Sequence, residues 1–179
     1  KTLGEILGHE VSVTASGRTD AGVHAFGQVI SFESASAIPE EGLLKAMNAK
    51  LPPDISVREV GEMGPDFNAR YRATAKTYLY LVDTAKVMSP FLVRYALHLP
   101  GGLDVAAMDR AARMLQGEHD FRSFMGSGSA VRTTTRRILE ARVFSKGSQV
   151  FFFIRGSGFL RHMVRNIVGT LIPVGQGKM

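Results

Sequence analysis

An α+β chain is what these 179 residues predict. Three features carry that prediction. Short runs with apolar residues at every second position sit towards both ends, runs with apolar residues three and four apart lie among them, and stretches rich in Gly and Pro separate the two kinds. A hydrophobic content of 45% supplies enough apolar side chain for a real core, in one large domain or two small ones.

Taken in order, Lys1 to Leu7 reads as the last turns of a helix stopping at Gly8. Val11, Val13 and Ala15 alternate with polar residues as a first strand. The run from Ala25 to Phe32 is rich in β-formers and reads as a second. Pro39 to Leu51 reads as a helix with Leu43, Leu44 and Met47 on one face, halted by Pro52-Pro53. Ile55 to Val60 alternates as a strand. In Lys76 to Val82, period two puts Lys76, Tyr78 and Tyr80 on one face and Thr77, Leu79 and Leu81 on the other, with the aliphatic side expected inward. That arrangement would leave cations and ring faces together, as a nucleotide-binding surface requires; two core tyrosines with bonded hydroxyls are the alternative.

Breaks at Ser89-Pro90 and Gly101-Gly102 flank a short strand within Leu92 to Leu99 and place a domain boundary, giving an N-terminal lobe 1–95 and a C-terminal lobe 96–179. Asp104 to Leu115 is the clearest helix, capped by Asp104, stopped by Gly117, with Val105, Met108, Ala112 and Leu115 on one face. Gly117 to Phe124 reads as a loop with an aromatic anchor, in which His119 and Asp120 are structural. Met125 to Ala130 reads as a mobile connector. Thr133 to Phe144 and Gln149 to Arg155 form a hairpin around Ser145 to Ser148. Phe159 to Val174 reads as the last helix, burying Leu160, Met163, Val164, Ile167 and Leu171, with Arg161 and Arg165 sharing its other face. Arginines at a helix start suit a phosphate or a carboxylate.

Composition narrows the function. No stretch has the apolar length of a membrane span and the start does not resemble a secretory signal, so a cytoplasmic setting is the default expectation. The absence of cysteine removes disulfides, thiolate metal sites and cysteine nucleophiles. Lys and Arg number 22 against 16 acids, and the surplus is uneven. Between Val131 and Arg165 there are eight bases, namely Arg132, Arg136, Arg137, Arg142, Lys146, Arg155, Arg161 and Arg165, against Glu140 alone. A polyanion such as RNA is the expected partner, because each neutralised phosphate releases counterions.

Between the first two strands lies Ser16-Gly17-Arg18-Thr19-Asp20-Ala21-Gly22-Val23-His24-Ala25. Its flanking glycines suit a loop that presents Asp20 to a ligand. Asp and Gly are also ordinary turn formers, which is the plain alternative. Asp20 and His24 are too few for a metal site, which takes three or four ligands.

The string SGRTDAGVHA resembles the signature of the tRNA pseudouridine synthase A family. Met47 to Val57, Phe67 to Tyr80, Gly117 to Phe124 and Gly158 to Leu171 resemble further blocks of that family, in family order, so the resemblance spans nearly the whole chain. It implies a pseudouridine synthase fold of two ribonucleoprotein-like α/β lobes with mixed sheets joined around a basic cleft, and a homodimer whose subunits share a tRNA. It also implies that Asp20 is the catalytic carboxylate, that Tyr78 packs on the target base, that Arg165 pairs with the Asp, and that Arg18 helps to extrude or hold the nucleotide. Arg136, Arg137 and Arg161, from the basic stretch, are candidates for the phosphates. The implied reaction converts uridine to pseudouridine at tRNA nucleotides 38, 39 and 40 in the anticodon arm, with no cofactor and no metal.

The family pattern also has an opening strand with Tyr-Asp-Gly and Gly-x-Gln-x-Gln elements and a closing Leu-Tyr-Leu strand. Neither is found in these residues, and Ser157 stands where Asn is frequent, so the expectation is a chain shortened at both ends. A non-catalytic RNA-binding fragment of the same fold, and a hydrolase using Asp20 with His24, are the rival readings.

Overall fold

The computed structural model describes residues 1–128 and 131–179. They form two compact units, 1–73 and 74–179. Strand and helix occur in both, a mixed α+β chain with one antiparallel and one mixed sheet.

The first unit packs helix α1 (Thr2–Leu7) against helix α2 (Glu40–Lys50). Leu3, Leu43 and Met47 are its buried centre, with Ile6, Leu7, Val11, Phe32, Leu51, Val57 and Val60 packed around them. Glu40 and Glu41 stand in the first turn of α2, where a negative charge suits the helix dipole. Leu51 leaves the helix with ψ 149°, as a residue before proline must. Strand β1 (Thr14–Ala15) pairs antiparallel with β2 (Ile30–Ser31). These strands are far shorter than the alternation over 11–15 and 25–32 predicts. One more backbone bond, Ser16 N to the Val29 carbonyl at 2.8 Å, extends the pairing, and then side chains take it over. The strand expected at Ile55 to Val60 is absent. Instead the Asn48 side chain donates to the Val57 carbonyl and accepts from the Val57 amide, both at 2.8 Å, so a helix side chain fills the place of a neighbouring strand.

The second unit is built on a five-stranded sheet in the order β4-β3-β7-β6-β5. Its members are β3 (Lys76–Asp83), β4 (Leu97–His98), β5 (Gly117–Asp120), β6 (Thr135–Lys146) and β7 (Gln149–Gly156). Only β3 and β4 run parallel. Helix α3 (Val105–Arg113) is capped by the Asp104 carboxylate, which accepts from the Ala107 amide at 2.8 Å. Helix α4 (Met163–Gly175) lies against α3. Val82, Met108, Phe121, Ile138, Phe152, Ile154, Met163 and Ile167 are among the residues of the main core.

Three expectations change here. Gly117 to Asp120 is a strand on the β6 edge rather than a loop, because its backbone finds a partner in Thr135 to Ile138. The face of β3 is also reversed. Tyr78, Tyr80 and Val82 pair with Ile154, Phe152 and Val150, so they share the core-facing side, while Leu79 is 52% exposed on the other. Finally, the last helix begins at Met163, not Phe159, since His162 is left-handed with φ 59°. The short strand expected in Leu92 to Leu99 is limited to Leu97–His98. Of the connector read at 125–130, Ser129 and Ala130 lie outside the described residues.

Candidate active site

The Asp20 loop is an arc pinched at its base. Ser16 Oγ donates to Gln28 Oε1 at 2.7 Å, and Gln28 Nε2 donates to the Gly17 carbonyl at 2.6 Å. With the Ser16 amide on the Val29 carbonyl, three bonds tie the two ends of the arc together. Inside it the Val23 amide donates to the Asp20 carbonyl at 3.1 Å, closing a tight turn. Gly22 holds φ 80° in that turn, a conformation that an L side chain adopts only with strain. Arg58, on the far side of the unit's sequence, donates from Nη1 to the Phe26 carbonyl at 3.2 Å. The arc's backbone is therefore held in place, largely by the side chains of Ser16, Gln28 and Arg58, while Arg18, Asp20, His24 and Phe26 are all exposed side chains on it. Gln28 and Arg58 belong to no motif read from the sequence; the signal for Gln28 is a polar amide side chain inside the β-former run Ala25 to Phe32. Among the described residues no three of His, Asp and Glu gather as a metal site.

The other candidates stand in the second unit. Tyr78 enters β3 half-buried, opposite Ile154, and meets the Phe159 ring edge-on with centroids 4.9 Å apart. That T-shaped contact fixes the phenol ring's plane. Arg165 is exposed in the first turn of α4. Arg161 lies before that helix, and its Nη1 donates to the Ser127 and Gly128 carbonyls at 3.1 and 3.4 Å. The two arginines therefore do not share one helical face. What sets this corner is Gly126: its amide donates to the Arg161 carbonyl at 2.8 Å, and a Cβ there would lie 2.6 Å from the His162 ring. Asn166 completes it by donating to the Phe124 carbonyl at 2.9 Å.

The basic stretch is divided by the strands. Arg137, Arg142, Lys146 and Arg155 are exposed. Arg142, Phe144, Phe153 and Arg155 fall on the sheet face opposite the core. Arg136 is half-buried and turns its Nη1 onto the carbonyls of Thr133 and Thr135 at 2.9 and 2.6 Å. A run that looks like one footprint in sequence is thus spread by period two and by the β-bulge between Ile138 and Glu140.

The first unit thus offers an exposed carboxylate on a clamped arc and the second an aromatic with arginines on a mixed sheet, groups suited to acid–base chemistry on an anion, and the sequence has no thiol. The comparison with known families makes that chemistry specific. A tRNA pseudouridine synthase profile matches residues 2–72 and 111–179, and the chain belongs to that family. Among its relatives, the tRNA pseudouridine synthase A of Moorella thermoacetica is 48% identical over 177 residues, covering 99% of this chain and 72% of the relative. The proteins of the same name from Geobacter sulfurreducens and Syntrophotalea carbinolica are 46% and 43% identical, again across 99% of this chain and across 72% and 70% of their own lengths.

Proposed function

We propose that this chain isomerises uridine to pseudouridine in tRNA, with Asp20 as the catalytic carboxylate. In the reaction the N1 to C1′ bond breaks, a C5 to C1′ bond forms, N1 takes up a proton and C5 gives one to solvent. No electrons and no outside group are exchanged, so the chemistry asks only for a placed, ionised carboxylate, as nucleophile or as base. The observation that carries this reading is the pinched arc: it displays Asp20 outside its unit's core on a backbone fixed by three hydrogen bonds.

In this reading Tyr78 packs on the target base and Arg165 supplies the cation that keeps a desolvated carboxylate charged. Arg18 holds the extruded nucleotide, and Arg136, Arg137 and Arg161 meet phosphates along a basic cleft between two lobes. The anticodon arm, nucleotides 38 to 40, is the proposed target, and the site of action the cytoplasm; no helix among the described residues is long and apolar enough to cross a membrane. A homodimer belongs to the same proposal. Leu79 and Phe144, 52% and 47% exposed, with the stacked Phe151 ring 5.2 Å from Phe144, supply an apolar sheet face for a second copy.

Tritium release from tRNA labelled at uracil C5 tests the function, because only this isomerisation expels that hydrogen. Asp20→Asn should reduce release to background while tRNA binding stays within about threefold of the parent protein. Retained release by that variant would refute Asp20 as the catalytic group, and no release by the parent would refute the activity.

A further inference from the structure

Phe26 stands on the same arc as Asp20 with 91% of its surface exposed. Other large apolar residues are also exposed, Phe91 among them at 85%. Phe26 differs in its mounting. Its own carbonyl is held by Arg58 at 3.2 Å, and two residues on, Gln28 is bonded to both Ser16 and Gly17. A phenyl ring is thus carried into solvent on backbone that the fold has fixed, beside Gly27, where even an added Cβ would meet nothing within 4 Å. Its distance from the chemistry is bounded. The Val23 amide donates to the Asp20 main-chain carbonyl at 3.1 Å, and Phe26 lies three residues beyond Val23, which adds at most ~11 Å of backbone.

From this we infer that Phe26 is a wedge that enters the RNA base stack beside the uridine engaged by Asp20. The inference rests on the proposed activity and names a residue that acts in it. Stacked nucleotides rise about 3.4 Å each along a strand, so a ring within roughly a few such steps of Asp20 is in reach of the nucleotides that flank the one Asp20 engages. A uridine that leaves its stack exposes the apolar faces of its neighbours. A rigidly mounted ring can cover them, as apolar wedges do in kinked duplexes, and so hold the vacated stack open. Phe26 has no polar atom to read a base edge, which makes the contact one of shape and stacking rather than sequence.

The test uses the full chain and an anticodon-arm RNA with 2-aminopurine next to the target uridine. The Asp20→Asn protein should raise the fluorescence on binding, as the neighbour unstacks. Adding Phe26→Ala should remove most of that rise while affinity changes less than about fivefold, and Phe26→Trp should keep it. With Asp20 intact, single-turnover rates should fall at least about tenfold for Phe26→Ala when the uridine is paired in a stem. The fall should be under about twofold when the same uridine faces a mismatch and is already loosened. Equal losses on both RNAs, or a fluorescence rise untouched by Phe26→Ala, would overturn the wedge. Absence of pseudouridine from the parent protein would count against the proposed activity, leaving the fluorescence result to decide Phe26 on its own.

Discussion

The two units of this chain spend their residues differently. Residues 1–73 have two strands of two residues each and a small core cluster of Leu3, Leu43 and Met47. Residues 74–179 have a five-stranded sheet in which the paired strands β3 and β7 are each eight residues long. Yet the proposed catalytic carboxylate belongs to the sparer unit. Order at Asp20 comes from local hydrogen bonds at the arc's base, whereas order at Tyr78 comes from sheet register and a packed ring. A loop can be held for chemistry without a large core beneath it, provided that its two ends are tied to each other.

That contrast can be broken most strongly in the second unit. Phe152 is fully buried between β3 and β6, so Phe152→Ala should lower its unfolding free energy by about 3–5 kcal/mol. Leu43→Ala in the first unit should cost about 2–3 kcal/mol, near the low end for such a truncation, because Leu43 is 8% exposed and its cluster is small. Amide hydrogen exchange resolved by residue checks both. Equal loss of protection in both units after either change would show that they open as one body.

A smaller effect separates the units by pH. Asp109 on α3 is partly desolvated, which would raise its pKa, but the Val143 amide, the Arg113 hydrogen bond and the charges of Arg113 and Arg142 together hold it below the usual carboxylate value. Asp109 Oδ1 accepts from Val143 at 2.8 Å and Oδ2 from Arg113 Nε at 2.8 Å, which ties α3 to the free edge of β6. A carboxylate with a lowered folded pKa gives stability that is fully present above its unfolded value near pH ~4 and is lost as pH falls through the folded one. Thermal unfolding of Asp109→Asn should therefore vary less between about pH 5 and pH 2 than that of the parent, with the difference confined to the second unit. An unchanged slope would mean that Arg113 and Val143 hold Asp109 equally in the unfolded chain.

The smallest effect sharpens the comparison from the other side. Gln28→Ala removes two hydrogen bonds from the arc without touching the core of the first unit. The expected loss is about 1–2 kcal/mol of arc closure, read as roughly a tenfold lower rate with the melting temperature nearly unchanged. If turnover were unaffected, the Asp20 arc would owe its order to something other than its pinched base.

The sequence alone determined the helices α2 and α3, the hairpin of β6 and β7, and the glycine-flanked arc with Asp20. Each of these is encoded locally, by caps, by proline, by period or by a contiguous motif. Other features depended on which partner arrived. Gly117 to Asp120 became a strand because β6 offered an edge, and Ile55 to Val60 did not because Asn48 occupied Val57. Period two showed correctly that Tyr78 and Tyr80 share a face, but only the register with Ile154 and Phe152 put that face against the core. Likewise the eight bases between Val131 and Arg165 are neighbours in sequence, and strand pairing, a bulge and the left-handed turn at His162 sent them to different surfaces. Periodicity specifies which side chains travel together; burial and pairing, which arise between distant segments, decide where they go.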